Sequence, residues 1–496
     1  MLKVCKDLFD KWNDSVRYCH WKSNEHLEEG LDGKTDLDVF VHPEDKTKAE
    51  ELLRDTQYIK FLPQKGCRYP LVDEWIGFDY STGKLVHVHL HYQIITGTKF
   101  VKEYIFPLDE EIISSRILDK ENKVYIIHPE LEAIILFCRI VLKSNNKKHI
   151  VPSEDAQVEI DFIKKQVRME SLYNLCVKLL GDEKGARVCD MILMEHPSCA
   201  DWYRLYRIIE TWLKPFRKYS KLLTKVIHLK NYLRLGLMTI LNKKCNCCYI
   251  TRKTQYVRGL SICFIGADGS GKSTVTKELT NWLNWKISAK RFYLGSGDGY
   301  NSMYNNFLNK LRKKNSNNKK VASDTKPFNN YYKRTTIKAQ IGMILIGKEA
   351  VRIASRALKQ SKKATEYAAK GAISLMDRFP QIEYPGVYDG PKIEDLAQRK
   401  GGTSFISKIL SRKEKDLLNQ TQVYQPNIVF KLLLPAEESM RRKPFENRAS
   451  VEQKARITPL LNFENSKVYD IDATQDYNTE ILIIKRIIWE SMLENQ

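Results

Sequence analysis

The residues best equipped for chemistry lie between positions 261 and 274. Ser261–Ile265 (SICFI) reads as an apolar strand. It runs into Gly266-Ala267-Asp268-Gly269-Ser270-Gly271-Lys272-Ser273-Thr274, and then into a helical pattern over Val275–Trp285. This is the G-x-x-x-x-G-K-[ST] spacing in the strand–loop–helix context of a phosphate loop. Glycines let backbone N–H groups converge on phosphate oxygens, and the helix N-terminus adds partial positive charge. Lys272 can reach β- and γ-phosphates, and the Ser273 hydroxyl can ligate Mg²⁺. The expectation is ATP or GTP binding through Gly266, Asp268, Gly269, Ser270, Gly271, Lys272, Ser273 and Thr274.

Two further elements fit phosphoryl transfer. Ala372–Met376 (AISLM) is an apolar strand ending in Asp377-Arg378, where a Mg²⁺-organising carboxylate belongs beside a phosphate loop. Asn427–Leu434 precedes a run of cations that includes Arg441, Arg442, Lys443, Arg448 and Arg456. Such a run can close as a lid over the transferring group and exclude water. Val468–Ala473 is a late strand whose end can contact the base.

A separate pair of carboxylates lies near the start of the chain. Asp36 and Asp38 alternate on the strand Asp36–Val41 (DLDVFV). They therefore share one face and can hold a second Mg²⁺. A third acid is expected on a neighbouring strand. Leu85–His91 (LVHVHLH), after the turn Ser81-Thr82-Gly83, offers His87, His89 and His91 instead. Imidazoles replace hard oxygen ligands for Mg²⁺ poorly. The three histidines could bind a transition metal, but read first as alternating residues on an exposed strand face.

In the order GADGSGKST, DRF and the late IDA, the chain resembles thymidylate kinase and related nucleoside-monophosphate kinases. The resemblance implies ATP and Mg²⁺ as cofactors and a nucleoside monophosphate as acceptor, dTMP first. Lys272, Ser273, Asp377 and Arg378 would inherit catalytic roles, with Arg442 or Arg448 as lid residues. Asp268 would match the family's loop acid, close to the acceptor sugar. The chain departs from the family at Tyr293–Gly299, in the Lys310–Lys338 insertion and at Pro385–Pro391. A kinase of a non-nucleotide acceptor is thus a variant of this reading.

His20–Asn24 followed by Gly33–Val41 resembles a polymerase-beta-type minimal nucleotidyltransferase. One rival reading is therefore nucleotidyl transfer through Asp36 and Asp38, with the kinase-like half as an accessory or sensor. Another is a nucleotide-gated binding protein.

These motifs need elements to position them, and 496 residues with 43% hydrophobic content supply several cores. The expected fold is α/β. A C-terminal P-loop domain over 259–496 has a parallel sheet flanked by helices. Before it come an α+β nucleotidyltransferase-like domain (1–125), a helical extension (126–215) and a basic connector (216–258). Pro129 starts one helix of the extension, and longer periodic stretches follow at Asp155–Leu180 and Trp202–Trp212. The N-terminus reads as an amphipathic helix.

The net charge of +22 is concentrated: Lys214–Arg258 holds 12 Lys+Arg and no acid, and Lys310–Lys338 holds 10 against Asp324 alone. Weak association with an anionic surface is one reading of these stretches, helped by the apolar run Leu233–Leu241. No nucleic-acid reading motif accompanies them. No apolar run is long enough to span a membrane, and scattered cysteines fit a reducing cytoplasm. Cys245, Cys247 and Cys248 lack an evident fourth metal ligand. Self-association is left open.

Overall fold

The computed structural model describes residues 1–245, 247–295, 337–394 and 405–495. Nearly all of the Lys310–Lys338 stretch, and residues 296–299 of the Tyr293–Gly299 departure, lie outside the described residues. The chain divides into two compact units. One comprises Met1–Val257 with Lys286–Ser288 and Leu482–Gln496, the other Arg258–Trp285 with Ala289–Ile481. Among the described residues, no helix is long and apolar enough to cross a membrane.

The first unit opens with α1 (Lys3–Asn13), which buries Val4, Cys5, Leu8, Phe9 and Trp12 at helical spacing. Its sheet contains β1 (Tyr18–His20), β2 (Asp36–Val41), β3 (Ile59–Leu62), β4 (Val72–Phe78) and β5 (Leu85–His91). In space these lie in the order β3-β4-β5-β2-β1. Strand alternation sends Leu37, Val39 and Val41 of β2, and Val86, Val88 and Leu90 of β5, into the core beneath α1. The opposite parity carries Asp36, Asp38, His87, His89 and His91. Parallel pairing sets Asp36 against His87 and Asp38 against His89. Antiparallel pairing sets Glu74 of β4 against His89 from the other side.

Five helices follow: α2 (Pro129–Lys143), α3 (Glu154–Lys164), α4 (Met169–Leu180), α5 (Asp182–Leu193) and α6 (Cys199–Leu213). The periodic stretch Asp155–Leu180 is two helices, broken at 165–168. The break lets Leu172 and Cys176 join the same core as Ile160 and Ile163, around Leu136, Phe137 and Trp202. The basic stretch forms α7 (Lys221–Lys244), capped by the Ser220 side chain, which accepts from Leu223 N–H. Thr224 is its buried residue, while Leu229, Leu233 and Leu237 are exposed.

The second unit alternates strand and helix. Its elements are β6 (Ser261–Gly266), α8 (Lys272–Leu283), β7 (Ala289–Tyr293), α9 (Ile337–Ala369), β8 (Ile373–Asp377), α10 (Phe405–Gln422), β9 (Ile428–Leu433), α11 (Ala436–Arg442), α12 (Arg448–Ile457) and β10 (Lys467–Asp472). The five strands form one sheet in the order β7-β8-β6-β9-β10, and every pair is parallel. All six residues of the central strand β6 are buried, as helices on both faces require. From β6 the chain builds one side of the sheet and then crosses to the other. Ligands of such sheets bind at the carboxyl ends of strands flanking that switch.

Candidate functional site

The loop after β6 is shaped by its glycines. Gly269 and Gly271 have φ of +90° and +86°, a region in which side-chain-bearing residues are strained. A Cβ on Gly266 would stand 2.6 Å from Ser270 Oγ and 2.7 Å from the Leu432 carbonyl oxygen. Gly271 caps α8, and its carbonyl accepts from Thr274 and Val275 N–H. Lys272 is buried and donates from Nζ to the carbonyls of Gly266 (2.8 Å) and Ala267 (2.7 Å). Desolvation, and then the charge of Arg378, push its ammonium down to about 7. A phosphate chain in the loop would add negative charge to that of Asp268 and Asp377 and raise this ammonium again.

Asp377 ends β8 directly beside the loop, because Phe264 and Asp377 are register partners. Its Oδ2 accepts from Ser273 Oγ at 3.0 Å and is paired with Arg291 of β7. Its Oδ1 is buried with no hydrogen-bond partner among the described residues. A hydroxyl and a carboxylate with an orphaned oxygen are hard donors of the kind Mg²⁺ takes, so these residues fit that ion. Arg291 carries no sequence signal of its own; only the β7–β8 pairing delivers it.

Arg378 follows with φ of +73°, a costly conformation for a side-chain-bearing residue. Its guanidinium lies 3.0 Å from Asp268 Oδ1 and 3.8 Å from Asp389 Oδ2. Lys454 of α12 pairs with the other oxygen of Asp268. Burial would raise the Asp268 carboxyl, but Lys454 and Arg378 outweigh it and hold the group below the usual range. The divergent Pro385–Pro391 segment reaches the same place. Asp389 faces Arg378, and the Tyr388 hydroxyl contacts the Lys454 carbonyl at 3.1 Å.

The cationic run divides. Arg442 pairs with Glu438 and donates to the Ala473 carbonyl at 2.9 Å. It also lies next to the loop, since a Cβ on Gly269 would stand 3.7 Å from Arg442 Cβ. Arg448 makes a pair with Glu452 of its own helix, and its side chain is 75% exposed. The structure thus brings Arg442, but not Arg448, to the loop. Besides Arg291, sequence reasoning missed Lys454; it stands among many lysines, and only the fold of α12 singles it out.

In the first unit, the histidines are not an exposed face. His87 and His91 are buried, because helices and loops cover that side of the sheet. The missing acid is also present: Glu74 comes from β4, the other neighbour of β5, and its Oε2 lies 2.6 Å from His87 Nε2. Asp36 Oδ1 lies 2.8 Å from His87 Nδ1 and also pairs with Lys286 of the same unit. Asp38 Oδ2 pairs with Lys22 at 2.8 Å.

No family model matches the chain. It is 29% identical over 221 residues to the uncharacterized ATP-binding protein YghS of Escherichia coli K12, covering 42% of this chain and 84% of that protein. It is 28% identical over 227 residues to the uncharacterized ATP-binding protein YghR of the same strain, covering 45% and 84%. Among solved structures, deoxyadenosine kinase from M. mycoides with bound dATP aligns at a TM-score of 0.27 and 15% identity, covering 46% of this chain and 98% of that one. That score is too low to establish a shared fold.

Proposed function

We propose that the second unit is an ATP-dependent phosphotransferase of thymidylate kinase type, acting on a nucleoside monophosphate, with dTMP converted to dTDP as the leading reaction. The observation that carries this reading is the grouping of Lys272, Ser273 with Asp377, and Arg378 with Asp268 around one phosphate loop. The ATP-binding character printed for the two E. coli relatives supports the donor.

In this reading the loop amides and Lys272 hold the β- and γ-phosphates of ATP. Ser273 and Asp377 would hold Mg²⁺, which when bound would neutralise charge on the phosphate oxygens. Arg378 binds the acceptor's phosphate, and Asp268 orients Arg378 and Lys454 toward it. An oxygen of the acceptor phosphate attacks the γ-phosphorus, and the bond to the β–γ bridging oxygen breaks to release ADP. Arg442 closes from α11 over the transferring group. Positioning and charge neutralisation supply the rate, and no covalent intermediate on the protein is required.

The test is ADP release by the purified full chain with ATP and Mg²⁺. The acceptors are dTMP, dUMP, the other nucleoside monophosphates and none, with Lys272→Ala alongside. Turnover that needs one monophosphate and vanishes in the variant is the expected result. Bound ATP with no acceptor-dependent turnover would end the nucleotide-kinase reading.

A further inference from the structure

We propose that Asp38, His89 and His91 hold a divalent transition-metal ion of zinc type, whose open coordination position faces a cationic cavity suited to an anionic ligand. Alternation along β5 places His89 and His91 on one face, and the parallel pairing with β2 brings Asp38 to them. Asp38 Oδ1 lies 3.3 Å from His89 Nδ1 and 3.3 Å from His91 Nε2. The three ligand atoms all lie within 4.8 Å of one another. A tetrahedral ion with bonds of about 2.0–2.1 Å has donor–donor edges of about 3.3 Å. The two separations match the edges of such a tetrahedron.

The surroundings have the form a metal-bound imidazole needs. The other nitrogen of His89, Nε2, lies 3.1 Å from Glu74 Oε2. A carboxylate behind the ring fixes its tautomer and frees the opposite nitrogen for the ion. Lys22 takes Asp38 Oδ2 and leaves Oδ1 to the imidazoles. The His91 ring meets Asp38 through Nε2, and its Nδ1 is buried without a hydrogen-bond partner among the described residues.

Two imidazoles and one carboxylate select zinc-type ions over Mg²⁺, which takes oxygen donors. The donor set therefore does not fit the Mg²⁺ expected of the Asp36/Asp38 pair. Asp36 is engaged by His87 and Lys286 instead.

Three protein ligands leave a tetrahedral ion one position for an exogenous group. A cavity of about 130 Å³ adjoins Asp38, His89 and His91, and Lys22, Lys102, Arg139 and Lys143 also line it. Lys22 is paired with Asp38 and Arg139 with Glu159, while burial beside these cations pushes Lys102 and Lys143 down to about 8 and about 6; an anion with oxygen donors there would restore their charge.

The experiment uses the full chain with a histidine-free tag, stripped by chelator and titrated calorimetrically with Zn²⁺. Co²⁺ serves as a visible-absorption probe of tetrahedral geometry. One Zn²⁺ per chain is expected, undisplaced by excess Mg²⁺. Binding should weaken by about 100-fold in His89→Ala, His91→Ala and the near-isosteric Asp38→Asn, and by roughly 10–100-fold in Glu74→Gln. Zn²⁺ should raise the unfolding temperature of the wild type but not of Asp38→Asn, each compared with its own metal-free melt. The combined Cys245→Ser, Cys247→Ser and Cys248→Ser variant should bind normally. Inorganic phosphate should shift the Co²⁺ spectrum, and Lys143→Met should remove that shift. Absence of Zn²⁺ binding, unchanged binding in the Asp38 and histidine variants, or loss in the cysteine variant would overturn the metal site. Absence of the phosphate shift would overturn the anion site.

Discussion

Arg378 Nη2 stands 3.0 Å from Asp268 Oδ1, tying the end of β8 to the phosphate loop. The link costs a left-handed backbone at Arg378, and Lys454 completes it on the other Asp268 oxygen. Arg378 also faces Asp389, whose other oxygen lies 3.8 Å from Lys392, so three cations meet two carboxylates, and in the proposed reading the acceptor phosphate binds to that excess positive charge. Lys454→Met should therefore raise KM for the acceptor by about tenfold, with KM for ATP nearly unchanged. Arg378→Lys should lower kcat/KM by about 100-fold, because an ammonium cannot reproduce the guanidinium fork. Steady-state kinetics with each substrate varied separately checks both.

Asp377 holds Ser273 and Arg291 on one oxygen and leaves the other buried and unpartnered among the described residues. Asp377→Asn keeps the shape and removes the charge. It should cost about 100-fold or more in turnover at saturating Mg²⁺, with little effect on nucleotide binding measured in chelator. Equal losses with and without Mg²⁺ would point to a damaged loop instead.

Arg442 and Arg448 should separate cleanly. Arg442 bonds the Ala473 carbonyl and lies beside Gly269, whereas Arg448 is occupied in an exposed pair with Glu452. Arg442→Ala should lower kcat by at least about tenfold. Arg448→Ala should stay within about twofold, as exposed pairs contribute little. A larger effect at Arg448 would reassign the lid.

Gly266 is enclosed by Ser270 Oγ and a backbone carbonyl of β9. Gly266→Ala should destabilise the second unit by roughly 1–3 kcal/mol through overpacking. It should also blunt the rise in unfolding temperature that nucleotide gives the wild type. Thermal unfolding with and without ATP measures both effects.

A pH effect is expected from the first unit. Glu132 on α2 is buried, and desolvation raises its carboxyl to about 7 despite two hydrogen bonds from Asn24. Between the ordinary glutamate value of 4.5 and about 7, the folded chain keeps a proton that the unfolded chain releases. This contribution is therefore fully present below about 4.5 and is lost as pH rises through about 7. Glu132→Gln should flatten that slope in urea unfolding followed between pH 5 and 8.

The phosphate loop was legible because its chemistry is local: nine consecutive residues specify turn, charge and helix start. Asp377-Arg378 was legible for the same reason, as an apolar strand ending in a charged pair. Lys454, Arg291 and Glu74 were not, since each reaches its site through pairing or packing of distant segments. The histidines on β5 illustrate the limit most directly. Their alternation gave the right face, but what covers that face is decided by residues far along the chain. The segment Pro385–Pro391 departs from the family pattern, yet Asp389 and Tyr388 within it adjoin Arg378 and Lys454, which no local pattern announces.

The central claim is most directly tested by following the labelled γ-phosphate of ATP in the presence of dTMP and Mg²⁺. The account predicts label on the nucleotide product as dTDP with wild-type chain, and none with Lys272→Ala or Asp377→Asn. Label released only as inorganic phosphate, or product formed equally by the variants, would contradict it.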